Sequence, residues 1–202
     1  MTELDRAWYA RPVLDVARDL VGCVLRHGDT SGVILETEAY HFTEAACHAY
    51  VGITERTRVI WGPPARAYVY RSYGIHALFN AVCEADGVGA AVLVRALEPV
   101  DGIEVMRMRR GPVAERDLCN GPGKLTQALG IGLDLNDTPL TGPDAPFTIE
   151  PRPPGWEDVD VVRTAPRIGI TKAVELDWRF SVRGHRGVSR PLPAAGPPPP
   201  AP

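Results

Sequence analysis

A single mixed α+β domain is the fold this sequence predicts, and three observations lead to it. The 202 residues are 45% hydrophobic, enough for one substantial core and too little for two. No internal repeat divides them. Short strand-period runs joined by turn-forming residues are interleaved with a few helix-period segments, the pattern of α+β chains.

Residues 12–22 read as a helix: Pro12 suits its first position, Val13, Val16, Ala17 and Leu20 recur at a spacing of three to four, and Gly22 ends it. A hairpin follows, with strands over 23–26 and 32–40 around the turn formers of 27–31. In its second strand, alternation places Ile34, Glu36 and Glu38 on one face and Val33, Leu35, Thr37 and Ala39 on the other. Residues 41–65 lose all periodicity, and so long a loop in a compact domain is more often functional than idle. Strands are expected over 68–73, 75–83 and 90–96, separated by Gly74 and by a Gly-rich turn at 84–89. Short helices are expected over 100–110 and 123–129, then short strands near 147–150, 167–171 and 179–182. The domain thus occupies residues 1–190. The final segment, 191–202, holds seven prolines and no charge and reads as a disordered or polyproline tail.

The longest apolar runs fall far short of a membrane span, and no signal-peptide pattern opens the chain, so a soluble cytoplasmic protein is expected. Cys23, Cys47, Cys83 and Cys119 are widely spaced with no C-x-x-C pair, which suits isolated core thiols. The net charge of −3 speaks against a nucleic-acid partner, but its distribution is uneven: residues 161–190 carry seven basic and two acidic side chains, leaving the remainder at −8. A solvated basic face explains such a cluster equally well.

Hydrolysis of a glycosidic bond needs a carboxylate that positions water and supports an oxocarbenium-like transition state. Glu36-Thr37-Glu38-Ala39-Tyr40 places two carboxylates at a strand end beside the long loop, although a solvent-facing strand has the same look. Recognition of an extruded base needs flat walls, and Tyr40, His48 and Tyr70 can supply them; ordinary core packing is the competing account of each tyrosine. Tyr73 falls at the predicted hairpin turn. An exposed aromatic there suits a wedge inserted into a duplex, or a protein interface.

Taken together, seven blocks resemble the alkyladenine (3-methyladenine) DNA glycosylase family over about residues 9–189. They are Arg11-Pro12 with Val16-Ala17-Arg18; Glu36-Thr37-Glu38-Ala39-Tyr40; Cys47-His48-Ala49-Tyr50; Gly62-Pro63-Pro64; Tyr68-Val69-Tyr70 with Tyr73-Gly74; the run from Val92 to Pro99; and the run from Asn120 to Leu125. The resemblance implies a compact domain with a curved antiparallel β-sheet and a protruding β-hairpin for insertion into the DNA minor groove. It implies Glu38 as the general base, Glu36 behind it, and Arg95 beside glutamate and water. Tyr40, His48 and Tyr70 become the walls around a flipped base, Asn80 the residue that disfavours guanine's amino group, and Tyr73 the intercalating tyrosine. Lys124 and Arg183 are candidate phosphate contacts. No metal and no cofactor are implied. The partner is double-stranded DNA containing damaged purines, bound by a monomer at the nucleoid. The implied reaction is monofunctional base excision of 3-methyladenine, 7-methylguanine, hypoxanthine or ethenoadenine, leaving an abasic site.

The chain departs from the family pattern in the loop of residues 41–48, one residue shorter, and at Thr54-Glu55-Arg56-Thr57, which replaces T-P-R-N. Three other functions compete. A glycosidase of free nucleosides would need the same pocket without Tyr73 or the basic segment. A binding module that only senses damage is disfavoured by Glu38, Tyr40, His48 and Arg95. A metal hydrolase built on His41, His48 and the glutamates lacks paired histidines at helical spacing.

Overall fold

A computed structural model of the chain describes residues 3–164 and 166–190; the proline-rich segment 191–202 lies outside the described residues. Two short helices open it, α1 (Arg6–Tyr9), whose Asp5 cap accepts from the Trp8 amide, and α2 (Val13–Leu20). Pro12 precedes α2 as its cap rather than starting it, and the Val13 amide is satisfied by the distant Glu84 carboxylate. The α2 face of Val13, Val16, Ala17 and Leu20 is buried. Strands β1 (Val24–His27) and β2 (Thr30–His41) form the expected hairpin on a tighter turn. A second hairpin joins β3 (Ala67–Ser72) to β4 (His76–Val82), followed by β5 (Ala90–Asp101). Helices α3 (Ile103–Arg110) and α4 (Pro122–Leu129) then precede β6 (Phe147–Glu150), β7 (Val161–Thr164) and β8 (Arg179–Val182).

All pairings are antiparallel, in the order β3-β4-β5-β2-β1-β6, with β8 on β2 and β7 on β8. The twelve-residue β2 is the spine. One edge of it carries β5, while the other is shared between β1 at its start and β8 at residues 36–38. Irregular register between β2 and β5 lets the long strands curl around the helices, since a bulge adds local twist. The main core gathers α2, α4 and the concave sheet face; a smaller cluster of Cys47, Ala49, Val59, Ile60, Tyr68, Val82 and Ala91 lies under the loop of residues 41–66.

Four expectations need correction. Strand β5 continues through Asp101 because it pairs with β2 as far as Ser31, so α3 begins only after Gly102, in the left-handed region at φ +72. Residues 167–171 form turns instead of a strand, because Arg167 is pulled inward by buried partners. A further strand forms at Val161–Thr164, where the sequence shows no clean alternation to announce it. The fourth concerns β2, where the register skips Leu35 between Ile34↔Leu97 and Glu36↔Ala96. That bulge reverses the phase. Ile34 joins the main core with Ala39, and Thr37 donates to the Ala17 carbonyl (2.6 Å), whereas Leu35 packs in a separate cluster with Ala96 and Val188. Glu36 and Glu38 still share a face, but Ile34 is not on it.

The four cysteines are buried and free. Among the described residues, no helix is long and apolar enough to cross a membrane.

Candidate active site

Glu38 sits mid-strand in β2 with no exposed surface, a place where a carboxylate needs dedicated partners. It has three. Its Oε2 accepts from the Tyr40 hydroxyl (2.8 Å) and from Arg95 Nη1 (3.1 Å), and its Oε1 accepts from the Ile168 amide (2.6 Å). Tyr40 follows two residues along the same face, Arg95 reaches over from β5, and Ile168 arrives from a turn 130 residues away. Burial and the neighbouring carboxylate push the Tyr40 hydroxyl well above its ordinary pKa, so it remains a donor. A carboxylate offers about four acceptor directions. One, on Oε1, takes no bond from any described residue.

Glu36 faces the same way and has separate partners: Arg179 Nη1 (3.0 Å) and the Ser189 amide (2.7 Å). The two glutamates therefore differ. The groups that hold Glu36 do not line the cleft, whereas the three groups that hold Glu38 all line a cleft of about 840 Å³. Glu38 lies directly behind the cleft floor.

The walls are aromatic. Tyr40, His48 and Tyr70 line the cleft with Tyr68, which stacks on Tyr70 with ring centroids 5.3 Å apart, while His48 meets Tyr70 edge-on at 4.6 Å. The loop holding His48 is fixed at both ends. A short 3₁₀ turn over His48–Val51 is capped by the Cys47 side chain, and Thr57, buried where the resembling family has asparagine, donates to the Gly52 carbonyl and accepts from the Thr54 amide. Arg56 lies 3.3 Å from His48 Nε2 and over the Tyr70 ring. Since guanidinium only donates, Nε2 accepts, which leaves the imidazole proton on Nδ1 for the Tyr68 hydroxyl at 3.0 Å. Burial, aided by Arg56, lowers the His48 pKa from 6.5 to about 4, so the ring is neutral at ordinary pH.

Asn80 enters from β4, paired with Tyr68 and Leu93, and donates Nδ2 to the Tyr68 carbonyl (2.9 Å). That fixes the orientation of its amide at the cleft. Tyr73 stands at the tip of the β3–β4 hairpin, 86% exposed and at φ +48, followed by Gly74 at φ +75. Helix α4 braces this hairpin: Thr126 donates to the Ala77 carbonyl (2.7 Å), and Gly123 lies so close to His76 that a Cβ there would fall 2.8 Å from the imidazole. Lys124 lines the cleft beside them, bonded to Asn120 (2.7 Å).

Against this geometry, the sequence model described as methylpurine-DNA glycosylase matches residues 7–186. The chain belongs to that family. It is a DNA glycosylase, a hydrolase of N-glycosyl bonds that acts on DNA. Relatives assigned by name to the 3-methyladenine DNA glycosylases include one from Rhodopseudomonas palustris (strain HaA2), 53% identical over 94% of this chain and 91% of its own length. One from Bradyrhizobium diazoefficiens (strain USDA 110) is 52% identical over 94% and 92%. One from Methanoculleus marisnigri is 48% identical over 93% and 98%.

In this glycosylase the structure gathers Tyr40, His48, Tyr70, Tyr73, Asn80, Arg95 and Lys124 around one cleft with Glu38 behind it, but not Arg183. Arg183 is paired with Asp160 at the far hairpin. Part of the charge of the basic segment, residues 161–190, is taken up inside the fold. Arg167 and Arg179 turn inward, Arg167 to a bidentate pair with Glu44 (2.7 and 2.9 Å) and Arg179 to Glu36, while Arg163 donates to the Asp177 carbonyl. The cleft's cations are instead Arg56, Arg71, Arg95, Arg110 and Lys124, and no described carboxylate lines it. Sequence reasoning missed Arg56, Arg167 and Ile168. Only Arg56 had a signal, as part of a recognisable block.

Proposed function

We propose that this glycosylase excises alkylated purines turned out of double-stranded DNA into the cleft, with Glu38 activating the water. The observation that carries the reading is the placement of Glu38: wholly buried, held at three points, and separated from an aromatic-walled, cationic cleft only by the groups that hold it.

The water is held at the open direction of Oε1, beside the Ile168 amide that bonds the same oxygen. Its oxygen attacks C1′ while its proton passes to Glu38. The bond from C1′ to the purine nitrogen breaks with its electron pair on the base, and the product is an abasic site bearing a hydroxyl at C1′. Arg95 and Tyr40 hold the carboxylate in line throughout, and preorganisation of this kind is a large part of catalysis. A 3-methyladenine or 7-methylguanine base is cationic in DNA and leaves neutral, so no acid is needed. Hypoxanthine or ethenoadenine would need a proton on departure, and among the described residues no carboxylic acid lines the cleft to give one.

Tyr40, His48 and Tyr70 sandwich the base, Asn80 meets its edge, and Tyr73 fills the gap left in the duplex. Strained backbone at an exposed bulky side chain supports that last role, since Asn or Gly would be more stable at φ +48. Lys124 meets a phosphate. Because one chain carries every group, a monomer working at the nucleoid suffices.

Glu38→Gln keeps the shape and removes the base, so damaged duplex should still bind while single-turnover base release falls by about 10³-fold or more. Release at near wild-type rate would sink the assignment. The same assay across 3-methyladenine, 7-methylguanine, hypoxanthine and ethenoadenine duplexes ranks the lesions, with the two cationic bases expected to leave faster.

A further inference from the structure

Behind the cleft, Glu38, Arg95, Glu36 and Arg179 form a buried row of alternating charge, with side-chain exposures of 0, 6, 0 and 4%. The register explains the row: β8 pairs with β2 so that Arg179 stands opposite Glu38 and Ser181 opposite Glu36, while β5 brings Arg95 alongside both glutamates. Arg95 is the shared member. Its Nη1 is 3.1 Å from Glu38 Oε2, and its Nε is 3.8 Å from Glu36 Oε1. The same Glu36 oxygen takes the shorter bond from Arg179, 3.0 Å. The second Glu36 oxygen accepts from the Ser189 amide (2.7 Å), and Ser189 Oγ in turn receives Arg95 Nε (3.3 Å).

We infer that Arg179 is a positioning residue for base excision: by neutralising Glu36 it prevents that carboxylate from drawing Arg95 away from Glu38. The inference rests on Glu38 being the base. The physical ground is that a buried carboxylate stripped of its countercharge takes the nearest cation available, and the nearest after Arg179 is Arg95, already within 4 Å. A guanidinium swung toward Glu36 moves Nη1 off Glu38, and a displacement of about 1 Å at a reacting group can cost about 100-fold in rate. Arg179 therefore acts through two other side chains and never meets DNA. Its strand pairs with β2 on the edge away from β5, and Arg179 is not among the cleft-lining residues.

Charge cancellation makes a test that a merely structural role would not pass. Arg179→Met should lower single-turnover release of 3-methyladenine by about 100-fold with damaged-duplex affinity within about threefold of wild type. Adding Glu36→Gln removes the competing charge, so the double variant Glu36→Gln/Arg179→Met should regain at least about tenfold of that loss. If Arg179 matters only as packing or as a bond to Glu36, the double variant is as slow as Arg179→Met or slower, and the inference is overturned. Should Arg179→Met fail to fold, the double variant decides alone: release within about tenfold of wild type supports the competition, and a rate as low as that of Glu38→Gln refutes it. Glu38→Gln in the same series separates the two readings. If it retains turnover, Glu38 is not the base, whatever Arg179 does; if it is inactive and the double variant does not recover, only the role of Arg179 falls.

Discussion

At the residue scale, the pocket's chemistry depends on a few side chains whose partners set their state. His48 resembles a titratable loop histidine in sequence, but burial and Arg56 hold its pKa at about 4 against an ordinary 6.5. The unfolded chain takes up that proton near 6.5 and the folded chain only near 4, so between these values the unfolded state binds more protons. The contribution of His48 to stability is thus complete above 6.5 and is lost as the pH falls toward 4. An NMR titration should find the His48 ring neutral at pH 5.5 and should show Arg56→Gln moving its midpoint upward; a wild-type midpoint near 6.5 would contradict the packing around it. A second residue-scale prediction concerns Arg167, which lies under the Tyr40 ring with both terminal nitrogens on Glu44. Glu44→Ala strands a buried cation and should cost about 3–5 kcal/mol in urea unfolding. A loss under 1 kcal/mol would mean that water reaches the pair.

At the element scale, the β3–β4 hairpin sacrifices stability at its tip. Tyr73 adopts a left-handed conformation that suits Asn or Gly, and with Ile75, 75% exposed, it presents apolar surface to solvent. Tyr73→Asn should therefore leave the melting temperature unchanged or raised, while fluorescence of a flipped lesion analogue shows a smaller extruded population. A drop in both would mean that Tyr73 supports the fold instead of the duplex gap. The bulge in β2 has a different kind of consequence. It places Leu35 and Glu36 consecutively on one side of the strand, and so lets a single segment bury Ile34 in the core and still present two carboxylates on the opposite face. Strict alternation could not show this, because one extra residue inverts the phase of everything that follows.

At the scale of the whole molecule, the chain is acidic overall, yet among the described residues its cleft is lined by five cations and no carboxylate. Averages over sequence do not describe such a surface. DNA affinity should fall with salt, and the slope of log affinity against log salt should shrink by about one for Arg71→Ala and for Lys124→Ala, if each meets one phosphate. Arg183→Ala should leave that slope unchanged, since Arg183 is already paired with Asp160 away from the cleft. A slope altered by Arg183 and unmoved by Lys124 would relocate the DNA-binding face.

Local pattern was enough to read the amphipathic α2, both hairpins and the shared face of Glu36 and Glu38, because each rests on a period of a few residues or on a turn that needs glycine. The resemblance added Asn80 and Arg95 to the tyrosines and histidine already picked out as flat walls. Strand alternation left the two glutamates equal and the resemblance singled out Glu38; tertiary structure supplied the physical difference between them, the partners each one meets: Arg95, Tyr40 and the Ile168 amide for Glu38, Arg179 and the Ser189 amide for Glu36. It also decided which basic side chains line the cleft. Arg167 and Arg179 of the basic segment turn inward to carboxylates more than a hundred residues away in the chain, and the charge that lines the cleft is assembled from a loop, two strands and two helices that no window of sequence joins. Charge pairing is a property of distance in space, and only folding sets that distance.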